Sequence, residues 1–145
     1  MPLIRAFGGR ERRRAAAAVE LAILAPLLVF LLLIAVDFAR IFYASLTLAN
    51  CARNGALYES DPYYRAESGY ANTREAALAD AGNLNDPANP ITVTSGTGAD
   101  ANGRPYVEVT VGQRFRTVSK FPGIPDDVNV TRTVKMARLP MNPSN

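Results

Sequence analysis

The pattern of apolar and polar positions divides the chain into three stretches of different period. Residues 15–36, AAAAVELAILAPLLVFLLLIAV, are apolar all round and hold one charge, Glu20, and one proline, Pro26. At ~1.5 Å rise per residue a helix of this length covers the ~30 Å hydrocarbon core of a bilayer. Lipid offers a backbone no hydrogen-bond partners, so a helix is expected there. A buried core helix of this kind would need more protein around it than 145 residues of this composition supply. From Asp37 the pattern changes without a break: Phe38, Ile41, Phe42, Ser45, Leu48, Ala49, Ala52 and Ala56 recur at spacings of three and four. This predicts an amphipathic continuation of the same helix, about 40 residues in all, ending between Gly55 and Tyr58. Asp37 and Arg40 are spaced to pair on it.

The third stretch turns from helical to alternating periodicity. Residues 59–70 carry turn chemistry, with Asp61-Pro62 and Gly69. Asn72, with Glu75 three positions on, has capping-box spacing, and Ala77, Leu78, Ala81 and Leu84 give the short helix that follows an apolar face. Ile91 to Thr94 reads as a short strand, residues 96–103 as a loop closing on Asn102-Gly103. From Tyr106 to Val111 alternation is strict, with Val107, Val109 and Val111 on one face. Gly112 is a candidate bulge, and Phe115 resumes the apolar parity. After the proline-rich connection at 121–127, residues 128–139 form the last strand, with Val128, Val130, Val134 and Met136 on one side and Arg132 interrupting. The tail from Pro140 is expected to fray. A three-stranded sheet with one apolar face needs a helix across it. The expected fold is therefore α+β: a long N-terminal helix, half in the membrane and half amphipathic, packed on a small three-stranded antiparallel sheet with one short extra helix. The expected organisation is a basic leader (1–15), a transmembrane half-helix (16–36), its amphipathic extension (37–58) and an α+β domain (59–145).

Charge sharpens this picture. The chain is +3 overall, but residues 1–15 hold five arginines and Glu11, so the remainder is −1. A nucleic-acid binder would spread its cations over the folded part; these stop at Arg12, Arg13 and Arg14, on one side of the apolar run. That asymmetry predicts a cytoplasmic N-terminus and an exported C-terminal domain, with no nucleic-acid partner. A cleaved secretory signal would have a shorter apolar region, of ~7–15 residues. Leu48-Ala49-Asn50-Cys51 has a lipobox outline, but Asn50 is the wrong residue before the cysteine, and Cys51 reads as a small helix-face residue. There is one cysteine and no histidine. The common zinc sites and His-based nucleophile constellations are therefore excluded, and Asp80, Asp86 and Asp100 lack calcium-loop spacing. No enzyme, metal or cofactor is expected. Tyr58, Tyr63, Tyr64 and Tyr70, clustered beyond the helix, read as an interfacial or domain-packing patch, with an adhesive surface as the alternative.

Glu20 is the chemical anomaly. A carboxylate in a membrane run costs roughly 2.5–3.5 kcal/mol on insertion scales. It can reach the cytoplasmic headgroups or take up a proton. Alternatively, a cut between Ala15 and Ala16 creates an α-amino cation for it to pair with in low dielectric.

The segment RRRAAAAVELAILAPLLVFLLL, from Arg12 to Leu33, resembles the type IV prepilin pattern: small residue, cut, four small or apolar residues, Glu, hydrophobic helix. With its Ala25-Pro26 and the later NCARNGALY (Asn50 to Tyr58), it is similar to the TadE-like pseudopilins of tight-adherence (Flp-type, type IVb) pilus systems. The resemblance is strong over Arg12 to Tyr58 and weak over the strands. Where the family usually has Gly before the cut and an aromatic residue after the acid, this chain has Ala15 and Leu21. The resemblance implies a minor pilin-like subunit in the bacterial inner membrane, serving adhesion and secretion. Prepilin peptidase would remove the leader between Ala15 and Ala16, and other pilin-like subunits would bind through the N-terminal helix. Glu20 would then set register with a neighbouring amino terminus, and Pro26 would kink the helix. The competing expectation is an uncleaved single-pass anchor that carries a small periplasmic binding domain.

Overall fold

The computed structural model describes residues 8–84, 86–118 and 125–140. Its first element is one helix, α1, Gly8–Ser60, unbroken through Pro26. The amphipathic continuation is therefore present, and it ends two residues beyond the expected limit. The helix also reaches below the apolar run: the leader is helical from Gly8 on, through Gly8, Gly9 and the arginines. Once a long apolar helix is nucleated, each added residue costs little, and arginine is a good helix former. Residues 1–7 of the leader lie outside the described residues, as do residues 121–124 of the proline-rich connection and 141–145 of the tail.

Two short helices follow. α2, Pro62–Glu67, occupies the stretch expected to be a turn. Asp61 caps it by accepting from the Tyr63 and Tyr64 N–H groups, and Pro62 takes the first helical position, where its missing N–H costs nothing. α3, Thr73–Leu78, starts where Asn72 and Glu75 placed it. Asn72 accepts from Glu75 N–H at 2.9 Å, while the Glu75 carboxylate reaches back to Ala71 N–H, also at 2.9 Å.

The sheet is an antiparallel meander in the order β1 (Thr92–Ala99), β2 (Pro105–Arg116), β3 (Asp127–Ala137). β1 runs on through Gly96 and Gly98, which were expected to be loop. The reversal is confined to Asp100–Arg104, where Asp100 accepts from Asn102 and Arg104 N–H, and Gly103 takes a positive φ of 76°. No bulge forms at Gly112: it pairs in register with Thr92 on one side and Thr131 on the other. Its role is spatial, since a Cβ there would meet the two threonine hydroxyls at 3.2 and 3.3 Å.

Val107, Val109 and Val111 are fully buried, as their alternation requires, and cover Ala44, Leu48, Cys51, Ala52 and Ala56 of α1 together with Ile91. The buried stripe of α1 is rotated from the expected one at its lower end. Asp37 and Ala44 face inward, whereas Phe38 (71% exposed) and Phe42 (56% exposed) face outward. Two β-sheet valines approach a helix most closely over small side chains, so Ala44, Cys51, Ala52, Gly55 and Ala56 define the seam rather than the aromatics. Gly55 is where the approach is tightest: a Cβ would lie 3.0 Å from Val109 Cγ1 and 3.2 Å from Ala77 Cβ. The connections are stitched by side chains. Gln113, at inward parity, donates to the Leu84 and Asn89 carbonyls at 2.6 and 2.9 Å.

Candidate membrane and assembly interface

α1 presents two different surfaces along its length. Over residues 15–36 most side chains are exposed: Ile23 is 70% exposed, and Val19, Leu21, Leu28 and Leu32 are exposed alike. The helix from Arg13 to Ser60 is long and apolar enough to cross a membrane, and its most apolar window has no buried residue. Exposed aliphatic surface on this scale is not viable in water and asks for lipid or other helices.

The residues singled out by sequence all lie on this bare half. Arg12, Arg13 and Arg14 occupy consecutive helical positions just before Ala15 and Ala16, and Ala15 and Ala16 are exposed. Glu20 is exposed four positions beyond Ala16, one turn up and on the same face, which is ~6 Å of axial rise. Among the described residues no hydrogen bond or ion pair reaches Glu20, so this chain holds it in place only through its helix. Pro26 lies inside the helix and has no N–H to give the Ala22 carbonyl, a point of local weakness in a segment that stays helical.

The packed half begins at Asp37, whose role the pattern of charges did not disclose. Its side chain is nearly buried, and Val118 N–H donates to both its oxygens, at 2.9 and 3.1 Å. The expected partner Arg40 is at 3.5 Å and also lies over the Phe115 ring, 4.9 Å from its centroid. Asp37 thus joins the helix to the chain leaving β2. Farther up, Arg132 departs from the apolar parity of β3 by donating from Nη2 to Ser45 Oγ on the helix. At the far end, Leu139 N–H donates to the carbonyl of Ser60 at 2.8 Å.

Cys51 is fully buried and free. Burial pushes its thiol up from 9.0, with a further push from the Asp80 charge, as for a cysteine packed among its neighbours. Tyr58 is buried and donates to the Tyr70 carbonyl at 3.1 Å, while Tyr63 is exposed. The tyrosine cluster therefore packs only in part. Its organiser is Glu59, which sequence reading missed: Arg65 pairs with it at 2.6 Å and lies over the Tyr58 ring, and Thr73 donates to its other oxygen. Among the described residues no group of His, Cys, Asp or Glu is placed to hold a metal ion.

Neither the curated proteins nor the solved structures compared with this chain give a match. The family model described as TadE-like protein matches residues 15–57, from the small-residue run through the seam at Gly55 and Ala56. It stops short of the sheet. Residues 15–57 of this chain are a TadE-like protein family domain.

Proposed function

We propose that the chain is a minor pilin-like subunit of a bacterial tight-adherence pilus assembly and secretion machine. In this reading it waits in the inner membrane with its N-terminus in the cytoplasm and its sheet outside, and prepilin peptidase removes residues 1–15. The observation that supports it is a lone acid on a bare apolar half-helix, one turn above Ala16, within a TadE-like segment. Each part has a physical task. The arginines keep the leader on the cytoplasmic side. Small side chains at Ala15 to Ala18 let an extended chain into a protease. The aliphatic surface is solvated by lipid at first and by neighbouring helices after assembly. Glu20 then meets the new α-amino group of an adjacent subunit, and this buried pair fixes axial register, the best attested use of such pairs. The family match also favours association with the pilus machinery over a catalytic role.

Replacing the acid tests this reading. A Glu20→Ala subunit is expected to insert and accumulate at the normal level, because losing a charge from the apolar run makes insertion easier. It is expected not to assemble, read as loss of pili or of co-purifying pilin-like subunits. Normal piliation by Glu20→Ala would remove the register role. A leader retained on every molecule would make the protein an uncleaved anchor for a small periplasmic domain.

A further inference from the structure

The apolar run ends at Val36, but exposed apolar side chains do not. Phe38 and Phe42 stack on each other at 6.4 Å between centroids and stay exposed beside a groove they share with Asn129 to Arg132 of β3, and Tyr43 is 58% exposed. Beside them a groove of about 390 Å³ opens between Tyr43, Leu84 and Phe115. The helix rise places these rings by height. Phe38 is ~3 Å, and Phe42 and Tyr43 are ~9–10 Å, above Val36. The headgroup zone on each side of the hydrocarbon is ~5–8 Å thick. One further residue is held at this height from outside the helix: Val118, 56% exposed, whose backbone is fastened to Asp37.

We infer that the sheet domain does not stand off the bilayer but is seated on it, with Phe38 and Val118 in the headgroup–acyl boundary, Phe42 and Tyr43 at the outer edge of the headgroups, and Asp37 as the latch that holds the β2 end down. The inference rests on residues 16–36 spanning the membrane. Its warrant is the continuity of exposed apolar surface across residue 36 and the two hydrogen bonds that bring a second segment to the level where the helix leaves lipid. Aromatic rings favour that zone because they are apolar bodies with polarisable or polar edges. Charge does not drive the docking, since this end carries Arg40 and Arg116 beside Asp126 and Asp127. The Asp37 carboxylate, turned inward onto a backbone N–H, is kept from the lipid surface it would otherwise be drawn against.

The chain has no tryptophan, so a single introduced one reports its own depth. Full-length Leu28→Trp, Phe38→Trp, Val118→Trp and Leu139→Trp proteins are reconstituted in two sets of phosphatidylcholine vesicles, with acyl chains brominated either near the headgroup or near the chain end. Quenching is expected at position 28 from the chain-end bromines, at 38 and 118 from the headgroup-proximal ones, and at 139, at the far end of the sheet, from neither. Quenching at 28 without quenching at 118 overturns the seating and leaves the membrane span intact; no quenching at 28 overturns both. Shielding of 118 that grows with protein-to-lipid ratio would show a second copy covering the face, and also overturns the seating. Adding Asp37→Ala to Val118→Trp is expected to reduce quenching at 118, with Leu28→Trp unaffected by the same change. Unaltered quenching at 118 removes the latch.

Discussion

The two halves of α1 are one helix with two surfaces that ask for different surroundings. Below residue 36 the run from Leu27 to Ile34 is bulky throughout, and the most apolar window of the helix has no buried residue. Above it the inward positions are Ala44, Leu48, Cys51, Ala52, Gly55 and Ala56, mostly small and nearly all sealed under the sheet. Size follows from what each half must touch. Lipid tails conform to any outline, so bulk costs nothing there. A twisted sheet is rigid, so the helix has to be thin where the two meet. The same chain therefore answers identical substitutions differently depending on the half that receives them.

The largest contrast is expected from truncating a leucine. Leu48→Ala removes a fully buried side chain and should destabilise the sheet domain by about 2–5 kcal/mol. Leu28→Ala, on the exposed half, should leave its denaturation midpoint in detergent unchanged. Equal losses would mean that the bare half is packed after all. Adding bulk gives the next contrast. Gly55→Val has to push aside Val109 and Ala77 and should cost about 1–3 kcal/mol. Ala35→Val, on an exposed position of the other half, should be silent in the same unfolding curves.

The smallest effect concerns pH. The folded Cys51 thiol keeps its proton above its ordinary 9.0, because burial raises it first and Asp80 adds to the rise. Above that value the unfolded chain loses a proton that the folded chain retains. Stability should therefore fall as pH rises beyond about 9. Cys51→Ser or Cys51→Ala, followed by denaturation at pH 8 and pH 10, isolates this contribution as a reduced slope. The same burial predicts slow alkylation of Cys51 in the native protein and rapid alkylation in denaturant.

Legibility in the sequence also divided along these lines. The bare half was readable because uninterrupted apolarity needs no folded partner to be recognised, and Glu20 and Pro26 stand out against it. The strict alternation of Val107, Val109 and Val111 was equally plain, as was the Asn72 cap. What escaped were choices made by contact. Phe38 and Phe42 belong to an apolar stripe by spacing, yet the sheet sits over their smaller neighbours. Asp37 reads as half of a surface ion pair until the end of β2 is brought to it. Gly112 has the look of a bulge, but its small size answers to Thr92 and Thr131 across two strands. The helix at Pro62 was written in Asp61-Pro62, a cap and a first-turn proline that also spells a turn. Glu59 gave no local sign, since Arg65 and Thr73 reach it only after the chain has folded back.

The central claim is that the helix is held in readiness behind a prefix that is later shed. Intact-mass spectrometry of the membrane-extracted native protein, from cells with and without prepilin peptidase, tests it most directly. The account predicts a chain beginning at Ala16 when the peptidase is present and the full-length chain when it is absent. A full-length chain in both would contradict it.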